Sequence, residues 1–226
     1  MTEKLKIEPP VVQVAIDVRT VPDALPIAGA AASAGVDWLE AGTPLITFAG
    51  TPVISALSDA FPHVPVLADY KMMDGVAKYV HETAARGGRI CTICAVASDA
   101  SIRAAVRAAE EAGVVLIADL YAAPDVPRRA EEVANMGVDS VYIHYGADQR
   151  AENPTRDPLL YLEEVKERVS VPVGVGTFSA GEGERAMHRG ADIVVIGVPV
   201  IQEPDVEAAL REYVQRAKGA HQGRGR

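Results

Sequence analysis

Asp69, Lys71 and Asp74 stand two and three positions apart in the run Asp69-Tyr70-Lys71-Met72-Met73-Asp74, just past the apolar residues 66–68. Strand side chains alternate between faces, so Asp69 and Lys71 are expected to point one way and Tyr70 the other. Asp74-Gly75 has the form of a helix N-terminus, where an aspartate accepts the free N–H groups of a first turn. Two carboxylates and an ammonium beside a buried strand are costly to hold together unless they pair or bind something. Other apolar runs also close on an acid or base: Asp17 after 11–16, Glu40 after 36–39, Asp119 after 114–118 and His144 after 140–143. Singly, each reads as a helix cap, a loop ion pair or a satisfied histidine. Jointly they read as a functional site.

The residue types name the chemistry. Carboxylates converging on a partly desolvated mouth repel one another. A hard divalent cation such as Mg2+ relieves that repulsion and prefers oxygen ligands. Glu40 and Asp69, on neighbouring apolar runs, are the expected ligand pair. Lys71 adds positive charge, and His144 can move a proton near neutral pH. Together these groups suit an enolate or enediolate, whose oxyanion cations stabilise as it forms. Aldol and retro-aldol reactions, decarboxylation and isomerisation beside a carbonyl all pass through such a species. Lys71 as a Schiff-base nucleophile fits less well, because Asp69 and Asp74 should keep it charged.

These side chains cooperate only if the ends of the apolar runs meet in space. Strands are predicted over 11–16, 36–39, 65–68, 89–94, 114–118, 140–143, 171–175 and 192–196, alternating with helices over 22–34, 52–60, 75–86, 99–112, 125–136, 157–168, 181–189 and 204–218. Short apolar strands alternating with helices mean a parallel sheet. Eight such units in one domain-sized chain predict an α/β fold, the (β/α)8 TIM barrel, whose C-terminal strand ends form one catalytic face. A doubly wound open sheet would be expected to carry a Gly-rich turn after the first strand, and Asp17-Val18-Arg19-Thr20 has no glycine. The junctions repeat: Gly35-Val36-Asp37, Gly137-Val138-Asp139 and Gly190-Ala191-Asp192 each separate a helix from a strand. One barrel domain is expected over 11–218. A loose polar arm (1–10) should precede it, and a disordered polar tail (219–226) should follow. Residues 41–50 read as loop.

Composition narrows the function classes. Hydrophobic residues make up 49% and charged residues 23% of the 226, ordinary for a soluble domain with a real core. The net charge of −9 argues against nucleic acid and anionic membrane as partners. Cys91 and Cys94 are the only cysteines and lie on one predicted strand, facing opposite sides. A redox pair should open a helix, and a zinc site needs two more ligands. They read as free thiols, which suggests a reducing, cytoplasmic setting. No apolar run reaches the roughly 18–20 residues of a membrane span.

Four segments carry a family resemblance: Ala15-Ile16-Asp17, Glu40-Ala41-Gly42-Thr43-Pro44-Leu45-Ile46, Ala68-Asp69-Tyr70-Lys71-Met72-Met73-Asp74 and Ile143-His144-Tyr145-Gly146-Ala147-Asp148-Gln149. With them the chain resembles the orotidine 5′-monophosphate decarboxylase suprafamily, in its 3-hexulose-6-phosphate synthase and 3-keto-L-gulonate-6-phosphate decarboxylase branch. The resemblance implies Mg2+ on Glu40 and Asp69, an enediolate steadied by Lys71, proton transfer by His144 and catalytic places for Asp17 and Asp69. It also implies a homodimer with composite active sites, Asp74 reaching into the partner's site. The synthase reaction it implies is a reversible aldol addition of formaldehyde to ribulose 5-phosphate. Decarboxylation of a β-keto sugar acid on the same scaffold and a non-catalytic dimeric binding barrel are the alternatives. Asp119, Gly176, Thr177, Ser179 and Gly197 are the expected substrate-binding residues. The family pattern puts a Gly-Gly pair after strand 7 and Gly-Arg or Gly-Gly-small after strand 8. Gly176-Thr177-Phe178-Ser179 and Gly197-Val198-Pro199 depart from it. Pro199 lacks an N–H, and Phe178 is bulky where backbone must approach an anion. The departure predicts related chemistry on an altered substrate.

Overall fold

The computed structural model describes residues 3–223. Eight parallel strands close into a barrel in chain order, β1 pairing with both β2 and β8. The strands are β1 (Val11–Ile16), β2 (Trp38–Ala41), β3 (Val66–Met72), β4 (Ile90–Cys94), β5 (Val115–Asp119), β6 (Ser140–Ile143), β7 (Val173–Thr177) and β8 (Ile193–Ile196). Around them, among the described residues, run α1 (Val21–Ala34), α2 (Thr43–Ala49), α3 (Pro52–Ala60), α4 (Ala77–Ala85), α5 (Asp99–Ala112), α6 (Val126–Asn135), α7 (Ala147–Glu152), α8 (Leu162–Arg168), α9 (Ala180–His188) and α10 (Val206–Gln222). The expected (β/α)8 barrel is what the chain forms.

Strand alternation divides the core in two. Val12, Val14, Leu39, Ala41, Leu116, Ala118, Val173, Val175, Val194 and Ile196 face outward and join the helices in one large cluster. Val11, Trp38, Leu67, Ile90, Val115, Ile117, Tyr142 and Ile193 fill the barrel interior. Gly35 and Gly113 end α1 and α5 in the left-handed conformation, where glycine carries no Cβ penalty. The aspartates of the repeated junctions then serve the neighbouring strand. Asp37 accepts from Val12 N at 2.8 Å, Asp139 from Leu116 N at 2.7 Å and Asp192 from Val173 N at 2.8 Å.

Four expectations need correction. From Glu3 onward the arm is not loose: Leu5 and Ile7 pack against the interior cluster, and Lys4 pairs with Glu110 and Asp139, while residues 1–2 lie outside the described residues. The tail is helical as far as Gln222, because Ala217 and Ala220 continue the buried face of α10; residues 224–226 lie outside the described residues. Within 41–50, Thr43–Ala49 forms α2, with Gly42 before its first turn and Leu45 buried. Finally, α4 begins at Ala77 without a side-chain cap, so Asp74-Gly75 does not start it. β3 instead runs past Asp69 to Met72, with an irregularity against β4 between Ala68 and Met72.

Candidate active site

The inward-facing positions nearest the C-terminal strand ends are polar. They line a cavity of about 450 Å³ with Gln13, Asp17, Glu40, Asp69, Lys71, Thr92, Asp119, Tyr142, His144, Gly176 and Gly197 among its walls. Lys71 has φ 49°, a left-handed backbone unusual for a residue with a Cβ. Its N–H donates to Thr92 Oγ1 at 3.1 Å, and its carbonyl accepts from Cys94 Sγ at 3.3 Å. Those two bonds hold the bulge that swings the ammonium over Asp69. Tyr70 faces the helices, at 5.2 Å between ring centroids from Tyr79.

Asp69 is surrounded by donors. Thr92 Oγ1 donates to its Oδ1 at 2.6 Å, while Thr43 Oγ1 and Lys71 Nζ both bond its Oδ2. Burial works against its charge, but Lys71 and these hydroxyls win and hold it below the usual carboxylate range. Burial would likewise lower Lys71, yet Asp69, Asp119 at 3.9 Å and Glu40 hold it above the ordinary lysine value. The ammonium therefore stays charged, which disfavours its use as a nucleophile.

Glu40 is 7% exposed. Burial, then Asp69 and Asp17, push it well above the carboxylate range. Burial also keeps the Tyr142 hydroxyl protonated. That hydroxyl donates to Gln13 Oε1 at 2.6 Å, which turns the amide so that its Nε2 donates to Glu40 Oε2 at 2.6 Å. Solvent exclusion and Asp69 raise Asp17 at the mouth.

His144 Nδ1 lies 2.8 Å from Asp119 Oδ2, while Asp119 Oδ1 accepts from Tyr121 N at 2.9 Å. The Tyr121 ring lies against the imidazole at 5.1 Å, tilted by 54°. With Nδ1–H on Asp119, the other ring nitrogen is the one that takes or gives a proton. Burial alone would lower the pKa of His144, but the Asp119 charge and hydrogen bond outweigh it and the net shift is upward. Asp119→Asn is therefore expected to move the His144 titration, read from imidazole NMR shifts, back toward or below about 6.5. Wild-type protein should titrate above that value. Identical curves for the two proteins would show that Asp119 does not set it. By linkage the pair stabilises the fold fully below the unfolded-state value, and that contribution fades as pH rises through the folded one.

Not every expected residue joins this constellation. Thr177 lines the cavity, but its hydroxyl is turned away from it, to Val195 O at 2.9 Å and Tyr213 Oη at 2.6 Å. Ser179 caps α9, accepting from Glu182 N. Asp74 is exposed, and neither it nor Ser179 lines the cavity. Gln13, Thr43, Thr92, Tyr121 and Tyr142 were missed as site residues. A polar residue at the inward position of an otherwise apolar strand was the available signal for Gln13 in VVQVAI and Thr92 in ICTIC.

For a metal, Glu40 and Asp69 are the fitting pair: both line the cavity with oxygen donors from the neighbouring strands β2 and β3, Asp69 two positions beyond the Leu67 that pairs with Glu40. Among the described residues, no three acidic, histidine or cysteine side chains cluster closely enough to hold an ion alone. Mg2+ commonly binds through one or two carboxylates and takes its other oxygens from substrate and water. Raised Glu40 beside lowered Asp69 marks a carboxylate repulsion that a cation would relieve.

Residues 10–213 match the family described as orotidine 5′-phosphate decarboxylase / HUMPS family. The chain belongs to that family. Within the orotidine 5′-phosphate decarboxylase / HUMPS family it is similar to 3-hexulose-6-phosphate synthase 2 of Staphylococcus saprophyticus. The two are 35% identical over 201 residues, 87% of this chain and 92% of the relative. A crystal structure of 3-hexulose-6-phosphate synthase superposes with a TM-score of 0.85 at 33% identity, covering 93% of this chain and 99% of the other. A 3-keto-L-gulonate-6-phosphate decarboxylase structure from Streptococcus mutans also reaches 0.85, covering 93% and 98%. At 21% identity that likeness bears on the fold alone. Among the described residues, no helix is long and apolar enough to cross a membrane.

Proposed function

We propose that this chain is an aldehyde-lyase of the 3-hexulose-6-phosphate synthase type, joining formaldehyde reversibly to a ketose of the ribulose 5-phosphate class. The observation that carries this reading is the Lys71 ammonium held between Asp69 and Asp119, with His144 lining the same cavity. Neutral His144 takes a proton from the hydroxymethyl carbon beside the ketone. The C–H electron pair moves into the carbonyl, giving an enediolate whose oxyanion Lys71 stabilises. The enediolate carbon attacks formaldehyde, and the new alkoxide takes the proton back from His144, so the addition balances. Thr43 and Thr92 keep Asp69 fixed, and Tyr142 and Gln13 keep Glu40 fixed. Asp17 and Asp119 offer oxygens to substrate hydroxyls at the mouth. Glu40 and Asp69 would hold Mg2+, which when bound supplies positive charge to the substrate oxygens. A homodimer belongs to this reading, with Asp74, exposed beside the 50% exposed Met73, reaching the second copy's site; that exposure supports it.

The test is formaldehyde consumption by purified protein with Mg2+ and pentuloses offered with and without the 5-phosphate. Consumption should stop on chelation, return with Mg2+, and need Mg2+ at higher concentration in Glu40→Gln. Absence of both consumption and deuterium exchange at the hydroxymethyl carbon in D2O would sink the aldol reading. Carbon dioxide release from a β-keto sugar acid would move the assignment to the decarboxylase.

A further inference from the structure

In (β/α)8 barrels a phosphate is commonly held by the loops after strands 7 and 8 and a helix N-terminus beside them. Here that corner is filled from within. The Phe178 N–H, at the entry to α9, donates to Glu182 Oε2 at 2.7 Å. The other carboxylate oxygen, Glu182 Oε1, takes Arg150 Nη1 at 3.0 Å, and the Arg150 guanidinium lies 4.2 Å over the Phe178 ring. One carboxylate thus occupies both the backbone donor and the nearby cation that an incoming anion would use. The Thr177 hydroxyl is turned away, and Pro199 has no N–H to offer. At the tip of β8, a Cβ on Gly197 would lie 3.7 Å from Asp17 Oδ2, so a carboxyl group already leans over that loop. Asp17, Glu40, Asp69, Asp119 and Asp148 line the cavity, against Lys71 and His144 alone. Lys71 is committed to Asp69 at the opposite wall. Towards β7 and β8 the lining is Gly176, Thr177, Phe178, Val195, Gly197 and Val198, with the Thr177 hydroxyl bonded to Val195 O and Tyr213 Oη.

We infer that the preferred ketose carries an uncharged hydroxymethyl group where the synthases' substrate class carries a phosphate, and that Glu182 and Phe178 set this preference. The inference rests on the aldol reading for the identity of the ketose, but discrimination against phosphate is a property of the corner itself. A dianion brought here meets the Glu182 and Asp17 carboxylates, with the Phe178 N–H and the Arg150 guanidinium already engaged, whereas a neutral hydroxymethyl group meets the apolar ring and glycine backbone at little electrostatic cost.

The experiment is isothermal titration of Mg2+-loaded protein with D-ribulose, D-ribulose 5-phosphate and inorganic phosphate, beside turnover of both ketoses. D-Ribulose is expected to bind at least about tenfold more tightly, a difference of about 1.4 kcal/mol, and inorganic phosphate should not compete with it. Glu182→Ala uncovers the Phe178 N–H and frees Arg150, so the ratio should narrow by about tenfold or reverse. Glu182→Gln keeps the acceptor without its charge and should fall between, with circular dichroism confirming that both variants fold. Equal or tighter binding of the 5-phosphate by wild-type protein overturns the inference. Unchanged discrimination in both variants overturns the role of Glu182. If neither ketose consumes formaldehyde but D-ribulose still binds more tightly, the aldol reading fails while the inference holds.

Discussion

Lys71→Ala is expected to lower kcat/KM for formaldehyde addition by roughly a thousandfold, the size of effect seen when one preorganised donor to a developing oxyanion is removed. Lys71 is the cavity's lysine, and Asp69, Asp119 and Glu40 are arranged to keep it charged. Alanine leaves Asp69 with Thr43 and Thr92 alone, so the melting temperature should fall as well. Two readouts separate chemistry from stability. Deuterium exchange at the hydroxymethyl carbon, measured well below the melting temperature, should be lost with the alanine variant. Circular dichroism should show the barrel intact. Activity within tenfold of wild type would take Lys71 out of the mechanism.

Gly174→Ala should damage the site from behind. A Cβ at Gly174 would stand 2.4 Å from two carbons of the Tyr142 ring, which is itself buried. That ring cannot move freely, because its hydroxyl positions Gln13 and, through it, Glu40. Overpacking of this kind costs about 1–3 kcal/mol, or roughly 2–12 °C in melting temperature for a domain of this size. Displacing Glu40 should also raise the Mg2+ concentration needed for half-maximal activity. A Gly174→Ala protein with wild-type melting temperature and wild-type Mg2+ dependence would show that the Tyr142–Gln13–Glu40 relay is not needed.

Much of this was legible in the chain because barrel geometry is local. Three glycine junctions and the β-branched runs mark where strands start, and the acid or base closing five of the eight runs marks the C-terminal face. Asp17, Glu40, Asp69, Asp119 and His144 needed only that pattern to be placed together. Thr177 does line the cavity, and the outward turn of its hydroxyl was readable from its own strand. Val173 and Val175 face the helices, so the alternation sends Thr177 the same way and leaves Gly174 and Gly176 inside. The left-handed turn at Lys71 was not readable, since nothing in Asp69-Tyr70-Lys71 announces a positive φ. The corner near α9 was half readable. Phe178 and Pro199 announced a change, but the Glu182 carboxylate filling the place of an anion depends on a side-chain path that sequence spacing does not give.

The junction aspartates have a bearing on the order in which the barrel is built. Asp37, Asp139 and Asp192 reach partners only 25, 23 and 19 positions away. The seams β1–β2, β5–β6 and β7–β8 can therefore zip as short-range events, each checked for register by its own carboxylate. Closure between Val11 and Ile193 has no such local guide. Loop-closure entropy must be met there before any contact rewards it. Substitutions at the three aspartates should accordingly slow early assembly, whereas damage at the β1–β8 seam should leave a preassembled but open sheet.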